Sequence, residues 1–368
     1  MTTKLADDSR IVMTLDAGGT NFKFSAIRGN EAVTEPFSVP SNADHLERCL
    51  ATLVDGFERV KNSLPDAPVA ISFSFPGPCD YSRGIVGDLG NLPCFRGGIA
   101  LGPMLEAKFG IPVFINNDGD LFVYGEAIAG FLPHVNSLLE KAGSPKRYKN
   151  LFGVTLGTGL GGGIVRDGEL FGGDNICGGE IWLMRHKRHP EMNAEEGACI
   201  RAVKRTYGEL TNTSFDQTPD PKTIFDIGTG SVAGNQAAAV EAFRRLGETV
   251  GDVVSLTTTL LDGLTVVGGG VSGAWPLFLP AIVDEMNGTY TSPKGEKFRR
   301  LAQKAFNLED PDQLATFLHG DKREITVPGT GEKLIYDPMP RVGVGMSRLG
   351  TSEAVAIGAY AYALHQLK

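Results

Sequence analysis

Two glycine-rich segments, each directly after a mainly apolar run, set the pattern of the amino-acid sequence. The first, residues 16–20 (Asp-Ala-Gly-Gly-Thr), follows residues 11–15, and apolar and polar residues alternate after it. The second, residues 157–163 (Gly-Thr-Gly-Leu-Gly-Gly-Gly), follows residues 151–156. This order predicts a strand, a tight turn and a returning strand. Because the hairpin occurs twice, we expect two α/β lobes related by an internal duplication.

The order of the other predicted elements supports an α/β lobe at the N-terminus. Apolar residues recur at helical spacing over residues 46–60, with Ser41 and Asn42 as candidate caps. Strand-like residues 68–75 and 112–115 follow, with a predicted helix over residues 101–109 between them. Three strands, a helix, a strand, a helix and a strand predict a lobe with a mixed sheet.

The length of the chain also favours two domains. Its 368 residues exceed one ordinary domain, which has about 100–200 residues. We expect an N-terminal lobe at residues 1–117, completed by a C-terminal helix at residues 353–368. The second lobe is expected at residues 118–352. Polar residues 288–339, with a predicted hairpin, are expected to form an elaboration of that lobe.

Composition excludes some classes of partner. The formal net charge of −8 argues against nucleic acid or an anionic membrane as the main partner. The five cysteines are scattered and form no Cys-x-x-Cys pair, which favours a reducing compartment. The start of the chain is polar, and no run approaches the roughly 18 apolar residues that span a bilayer. We therefore expect a cytoplasmic protein.

The first glycine segment has the residue types of a phosphate site. A glycine turn lets the backbone approach a polyphosphate without Cβ clashes, and Thr20 adds a hydroxyl donor. Asp16 is placed to hold Mg²⁺, directly or through waters, and Lys23 could add a positive charge. The alternative is that the glycines only close hairpins, but two such loops favour nucleotide binding. Residues 157–162 match Gly-x-Gly-x-x-Gly but lead into a strand, which disfavours a dinucleotide fold.

Two carboxylates are candidates for chemistry on an alcohol. Asp118 follows the predicted strand at residues 112–115 and could accept a hydroxyl proton, while Asn117 could orient a second hydroxyl. Alternatively, this acidic segment could cap the following helix, a role we assign to Asp120. Glu180 follows the second glycine segment and is either a sugar ligand or a surface residue.

Five segments, in order, resemble the ROK family of repressors, open reading frames and sugar kinases: residues 15–21, 117–126, 157–181, 266–272 and 348–359. The resemblance runs from about residue 11 to residue 365. It implies an α/β, two-lobed actin/hexokinase-like (ribonuclease H-like) fold with mixed β-sheets and an interlobe cleft.

The resemblance implies a sugar kinase that uses ATP and Mg²⁺, with Asp118 as the general base and a hexose or related sugar as substrate. The residues that it places around ATP are Asp16, Gly18, Gly19, Thr20, Asn21, Lys23, Thr158, Gly159, Gly161, Gly269 and Gly270. Those that it places around the sugar are Gly77, Asn91, Asn117, Asp118 and Glu180. A homodimer is the family's common state. The identity of the sugar and of the phosphorylated hydroxyl stays open.

The sequence departs from the family pattern after Glu180. Many members have a His three residues later and then a Cys-x-Cys-Gly-x-x-Gly-Cys-x-Glu zinc motif. Here Leu183 replaces that His, and Arg201 stands where the last Glu is expected. The residues that could form a different zinc site are His186, His189, Cys177 and Cys199. Because residues 185–190 fit a solvated basic loop better, no structural zinc is expected. His186 or Arg201 could replace the missing pocket groups.

Three other functions compete with a sugar kinase. A repressor of the same family would need a helix-turn-helix before the first strand, and only ten residues precede Ile11. An actin-like ATPase or chaperone would leave the pairing of Asn117 and Asp118 with Glu180 unused. A non-catalytic sugar or nucleotide sensor is a further alternative, and the presence of Asp118 counts against it.

Overall fold

The computed structural model describes residues 5–90 and 92–367. The contacts between residues divide the chain into two compact units. Unit 1 comprises Met1–Pro133, Glu169–Gly178 and Leu349–Lys368, and unit 2 comprises His134–Gly168 and Gly179–Arg348.

The strands in chain order are β1 (Val12–Ala17), β2 (Asn21–Arg28), β3 (Glu31–Ala32), β4 (Phe37–Pro40), β5 (Ala70–Ser74), β6 (Cys79–Asp80), β7 (Ile85–Val86), β8 (Val113–Asn116), β9 (Leu151–Leu156), β10 (Leu160–Arg166), β11 (Glu169–Leu170), β12 (Leu264–Gly268), β13 (Thr289–Thr291), β14 (Lys297–Arg299), β15 (Lys304–Asn307), β16 (Arg323–Thr326), β17 (Lys333–Tyr336) and β18 (Arg341–Met346). The α-helices of the described residues, from Leu46 onward, are α1 (Leu46–Ser63), α2 (Leu101–Phe109), α3 (Asp118–Ile128), α4 (Phe131–Lys141), α5 (Ile200–Thr211), α6 (Pro221–Gly228), α7 (Gln236–Leu261), α8 (Trp275–Met286), α9 (Pro311–His319) and α10 (Thr351–Gln366). Short 3₁₀ turns lie at Ile181–Leu183, Ala194–Gly197 and Ser272–Ala274.

The sheet of unit 1 is mixed, as the element order predicts. Its strands run β3-β2-β1-β5-β8, and β4 also pairs with β2. The β1–β2 pair is antiparallel, whereas β1–β5 and β5–β8 are parallel. The register aligns Asp16 with Ser74 and Ser74 with Asn116. The carboxyl ends of three parallel strands therefore lie at one edge of this sheet, which is where open α/β sheets place their ligands.

Helices cover both faces of this sheet. On one face, Phe57 of α1 packs edge-on against Phe24, and its ring centroid lies 5.8 Å from that of Phe73. On the other face, Tyr360 of α10 packs with Val12 and Ala70. All six side chains are fully buried, so the period-2 pattern of the strands places one set of side chains against α1 and the alternate set against α10.

Unit 2 repeats the glycine hairpin of unit 1. Its strands run β10-β9-β12-β18-β15, with β9–β10 antiparallel and β9–β12 parallel. The same three-strand arrangement, β2-β1-β5, occurs in unit 1. Helix α7 packs against α8, where a Cβ on Gly247 would lie 2.4 Å from the carbonyl oxygen of Phe278. The absence of a side chain at Gly247 lets these helices approach closely.

The predicted lobes, residues 1–117 with 353–368 and residues 118–352, can be compared with the limits of the two units. Helix α3 and residues 169–178 belong to unit 1, and so does α10. Helix α3 packs along α10, which explains why unit 1 extends past residue 117. Within residues 288–339, β13–β14 and β16–β17 form separate hairpins, but β15 belongs to the main sheet of unit 2. Among the described residues, no helix has the length and apolar character needed to cross a bilayer.

Candidate active site

The first glycine loop, Gly18 to Thr20, closes the β1–β2 hairpin of unit 1. The Gly18 N–H donates to the carbonyl oxygen of Asn21 at 3.0 Å. Ser41 holds the loop from one side: its hydroxyl donates to Gly19 O at 2.7 Å, and its N–H donates to Thr20 O at 2.9 Å. Ser41 is thus a residue of the loop's support and not a cap of α1, whose N-cap residue is His45.

The hydrogen bond from Ser41 to Gly19 O fixes the orientation of the Gly19–Thr20 peptide. In a trans peptide the C=O and the following N–H point in opposite directions. Because Gly19 C=O points towards Ser41, the Thr20 N–H points away from it. Within residues 5–90 and 92–367, the Thr20 N–H donates no hydrogen bond. Thr20 is exposed, so its N–H and hydroxyl are both available to an anion.

Asp16 and Lys23 face each other across the hairpin. They are direct partners in the antiparallel register and therefore lie on the same face of the sheet. Both are exposed. They line a cavity of about 440 Å³ with Ser352 and Glu353 at the start of α10. A carboxylate and an ammonium group thus adjoin the first glycine loop.

Asn117 and Asp118 lie where β8 passes into α3. The Asn117 Oδ1 caps the helix by accepting the Gly119 N–H at 2.8 Å, and Asp118 Oδ1 also accepts this N–H at 2.8 Å. The prediction that Asp120 caps the helix near Leu121 is therefore wrong. Asp120 is buried in the first turn, because the helix begins at Asp118. Asp118 keeps an exposed carboxylate at the helix N-terminus, where the helix dipole favours its charge.

Tyr81 supports this end of the site and was missed in the sequence. Its hydroxyl donates to Phe75 O at 3.0 Å and accepts from Asn117 Nδ2 at 3.5 Å. Burial raises the pKa of Tyr81, so the phenol stays protonated. A Cβ on Gly77 would lie 3.2 Å from this hydroxyl. Tyr81 therefore joins the turn after β5, which contains Gly77 and the cis Gly77–Pro78 bond, to Asn117.

The second glycine loop connects β9 and β10 in unit 2. Gly157 N–H donates to Gly159 O at 3.0 Å, and Gly157 O accepts the N–H of Ile200 at 2.9 Å. Arg201 donates to Thr158 O at 2.8 Å. By the same peptide geometry, the N–H groups of Thr158 and Gly159 point away from α5. Neither N–H has a partner in the described part of the chain.

The segment after β12, which contains Gly269 and Gly270, adjoins this loop in the sheet. Parallel strands β9 and β12 align Thr155 with Gly268, so the segments after them lie at the same edge. Gly269 has φ +95°, and a Cβ there would lie 2.3 Å from Leu156 O. Glycine is required at this close approach. Gly270 faces open space, and Gly161 lies within β10, opposite Thr155.

The residues after the second loop take positions that the sequence leaves open. Glu180 is exposed and accepts a hydrogen bond from the Trp182 indole N–H. Leu183, which replaces the family's His, is 61% exposed. His186 is buried, and its Nδ1 accepts the N–H groups of Arg188 and His189 at 3.0 and 3.2 Å, so it organises its own turn.

Three further predictions concern Asn91, a structural zinc and Arg201. Asn91, predicted to meet the sugar, lies outside the described residues. Across residues 5–90 and 92–367, no three His, Cys, Asp or Glu side chains are grouped as metal ligands. Arg201 contacts the second glycine loop, Glu195 and Glu196.

Comparison with known proteins identifies the family. The family model described as ROK family matches residues 12–306. N-acetyl-D-glucosamine kinase of Photobacterium profundum is 32% identical over 273 residues, covering 70% of this chain and 83% of the relative. Glucokinase of Streptomyces coelicolor is 26% identical over 290 residues, covering 73% and 84%.

A solved structure confirms the fold. The crystal structure of glucokinase from Parabacteroides distasonis has a TM-score of 0.90 and 51% identity, covering 98% of this chain and 99% of that one. The predicted actin/hexokinase-like α/β fold with mixed sheets is therefore confirmed. From the match of the family model and the similarity to these relatives, the chain belongs to the ROK family.

Proposed function

We propose that this protein is an ATP-dependent kinase that phosphorylates a hydroxyl of a hexose or a related sugar. The observation that carries the proposal is the common edge of the unit 1 sheet. There Asp16 lies near the end of β1, the first glycine loop follows β1, and the Asn117–Asp118 pair follows β8, with β5 between the two strands. Relatives named glucokinase and N-acetyl-D-glucosamine kinase support the same reaction class.

The proposed phosphate ligands are backbone N–H groups. Thr20 in unit 1, and Thr158 and Gly159 in unit 2, each present an N–H that no group of the described chain accepts. Such oriented amides attract phosphate oxygens. Gly18, Gly19 and Asn21 shape the first loop, and Gly161 the second. Gly269 and Gly270 are proposed to lie beside adenosine.

Asp16 is the proposed Mg²⁺ ligand. Mg²⁺ prefers oxygen ligands and keeps several waters, so one exposed carboxylate beside an open cavity fits it. The ion would neutralise charge on the phosphate oxygens during transfer. Lys23, opposite Asp16 in the register, would add a positive charge on the same face.

Asp118 is the proposed general base. The sugar hydroxyl oxygen would form a bond to the γ-phosphorus, the bond from that phosphorus to the β,γ-bridging oxygen would break, and ADP would leave. Asp118 would accept the hydroxyl proton. The Oδ1 of Asn117 is already used by Gly119, so Asn117 would donate from Nδ2 to a sugar oxygen. Gly77, Asn91 and Glu180 complete the proposed sugar ligands.

The test is a coupled ADP-release assay across glucose, mannose, allose, fructose and N-acetylated hexosamines. We expect at least one sugar to stimulate ADP release and to yield a phosphorylated product. Glu180→Gln should raise the KM for that sugar, whereas Glu191→Gln, at an exposed position, should not. If no sugar stimulates ADP release but one of them binds, the sensor alternative is correct and the kinase proposal fails.

A further inference from the structure

A cluster of four charged side chains lies behind the second glycine loop. We call it the α5 cluster: Glu195, Glu196, Arg201 and Arg205. Arg201 Nη2 donates to Glu195 Oε1 and to Glu196 Oε1, both at 3.1 Å, and Arg205 Nη1 donates to Glu196 Oε2 at 2.9 Å. Hydrogen bonds from Arg205 and Arg201 lower the pKa of Glu196. Glu196 is therefore ionised at neutral pH.

The α5 cluster contacts the loop at two points. Arg201 Nη1 donates to Thr158 O at 2.8 Å, and Glu195 Oε2 accepts the Leu160 N–H at 3.1 Å. A Cβ on Gly159 would lie 2.5 Å from Glu195 Oε2, so the carboxylate fills the space directly behind Gly159. A guanidinium therefore holds a carbonyl oxygen of the loop, and a carboxylate holds one of its N–H groups.

We infer that Arg201 is a positioning residue of the nucleotide site, which fixes the Thr158–Gly159 peptide so that the Gly159 N–H faces the phosphates of ATP. The inference rests on the proposed function and adds a residue to it. The peptide is trans, so the N–H points opposite to the C=O that Arg201 holds.

The chemistry of the loop explains why such a hold is needed. Gly159 has no Cβ, and glycine adopts many backbone conformations, so the peptide before it can rotate at low cost. Rotation by half a turn would replace the N–H with a carbonyl oxygen, which repels phosphate. A guanidinium is suited to prevent this, because its planar fork binds two carboxylates and a carbonyl at once. A lysine at this position offers only a point charge.

The molecule offers a matched control in Arg244. Arg244 lies on α7 in unit 2 and, like Arg201, pairs with two glutamates, Glu241 and Glu248. Its side chain is 40% exposed, against 41% for Arg201. Among the described residues, the hydrogen bonds of its side chain go to these two glutamates and not to a glycine loop. Arg244→Ala therefore removes the same charge and a similar pair of bonds without touching the loop.

The experiment measures binding of ATP and of adenosine by calorimetry, with Mg²⁺ present, for wild type, Arg201→Ala, Arg201→Lys and Arg244→Ala. A hydrogen bond to a charged group is worth about 1.5–3 kcal/mol, so the Kd of Arg201→Ala for ATP should rise about 10- to 100-fold. Adenosine lacks phosphates, so its Kd should stay unchanged. Arg201→Lys should lie between Arg201→Ala and wild type, and Arg244→Ala should match wild type.

Hydrogen exchange of the ligand-free proteins gives a second readout that does not depend on nucleotide. The Leu160 amide donates to Glu195, and Glu195 is held by Arg201. The amides of a peptide that covers residues 157–163 should therefore exchange faster in Arg201→Ala than in Arg244→Ala. Peptides from α7 should not exchange faster in Arg201→Ala than in Arg244→Ala. Unchanged exchange in this peptide would overturn the inference.

The binding results separate the two proposals. If wild type binds ATP and Arg201→Ala binds it equally well, the inference is wrong and the proposed function stands. If Arg201→Ala loses ATP and adenosine to the same extent, Arg201 has a general structural role, and the inference is also overturned. A wild type that binds no ATP overturns the proposed function and this inference with it.

Discussion

Helices α3 and α10 of unit 1 are in backbone contact, and Gly358→Ala tests how much this contact stabilises the protein. A Cβ on Gly358 would lie 2.0 Å from the carbonyl oxygen of Leu121, and a Cβ on Gly125 would lie 2.0 Å from that of Ala354. Real Cβ contacts essentially never fall below 3.0 Å. The helices would have to separate by about 1 Å to accept one methyl group, which disturbs close packing along their length.

The net effect is the difference between two opposing terms. Alanine in a helix interior is more favourable than glycine by about 0.5–1 kcal/mol. Overpacking of a closely packed core costs about 1–3 kcal/mol, and here the obstacle is a backbone oxygen that cannot rotate away. We expect a net destabilisation of about 1–2 kcal/mol, which lowers the Tm by about 2–8 °C in a unit of this size.

Thermal and urea unfolding of wild type, Gly358→Ala and Gly273→Ala measure this effect. Gly273 is a suitable control because its Cβ position is open, with no atom within 4 Å. Since α3 begins with Asp118, the Gly358→Ala variant should also turn over sugar more slowly. A Tm of Gly358→Ala equal to or above that of wild type would refute the argument from helix packing.

Three further predictions concern other supports of the fold and site. Ser41→Ala removes the hydrogen bond to Gly19 O. Because a typical hydrogen bond contributes about 1 kcal/mol, the Kd for ATP should rise about fivefold in a titration. An unchanged Kd would show that Ser41 does not support the ATP site. Tyr81→Phe removes the hydrogen bonds of the Tyr81 hydroxyl with Phe75 O and with the Asn117 amide. The KM for the sugar should therefore rise, while the Kd for ATP stays constant. Equal changes in both would contradict a role of Tyr81 that is limited to the sugar side. Hydrogen bonds from Arg244 lower the pKa of Glu241 to about 2, below its ordinary value of 4.5. The ionised Glu241 therefore stabilises the folded state fully above about pH 4.5, and this contribution is lost as the pH falls towards 2. Glu241→Gln should therefore lose less stability than wild type between pH 5 and pH 3 in urea unfolding, and parallel losses would disprove this.

Local patterns in the sequence were sufficient to predict the hairpins and the first long helix. The apolar run before each glycine segment appears as β1 and β9, and the helical spacing at residues 46–60 appears as α1. These elements depend on residues that are close in sequence. For the same reason the carboxyl ends of β1 and β8 could be expected to present Asp16 and Asp118.

Contacts between distant residues could not be predicted in this way. Ser41 has the residue type of a helix cap, but it holds a loop that precedes it in the chain. Glu126, in the segment that resembles the family's catalytic motif, is fully buried and accepts the N–H groups of Phe131 and Leu349. Its role in the structure is to join three segments of unit 1. The periodicity of the sequence does not predict these hydrogen-bond partners, because they come together only in the folded chain.

The most direct test of the central claim is phosphoryl transfer by Asp118→Asn. Asparagine keeps the size of the side chain and an oxygen that can accept the Gly119 N–H, but it cannot take the proton of a sugar hydroxyl. We expect kcat for sugar-dependent ADP release to fall about 10²- to 10⁴-fold. Binding of the sugar, measured by calorimetry, should change little. An Asp118→Asn protein with the wild-type kcat would contradict the assignment of Asp118 as general base and, with it, the proposed mechanism.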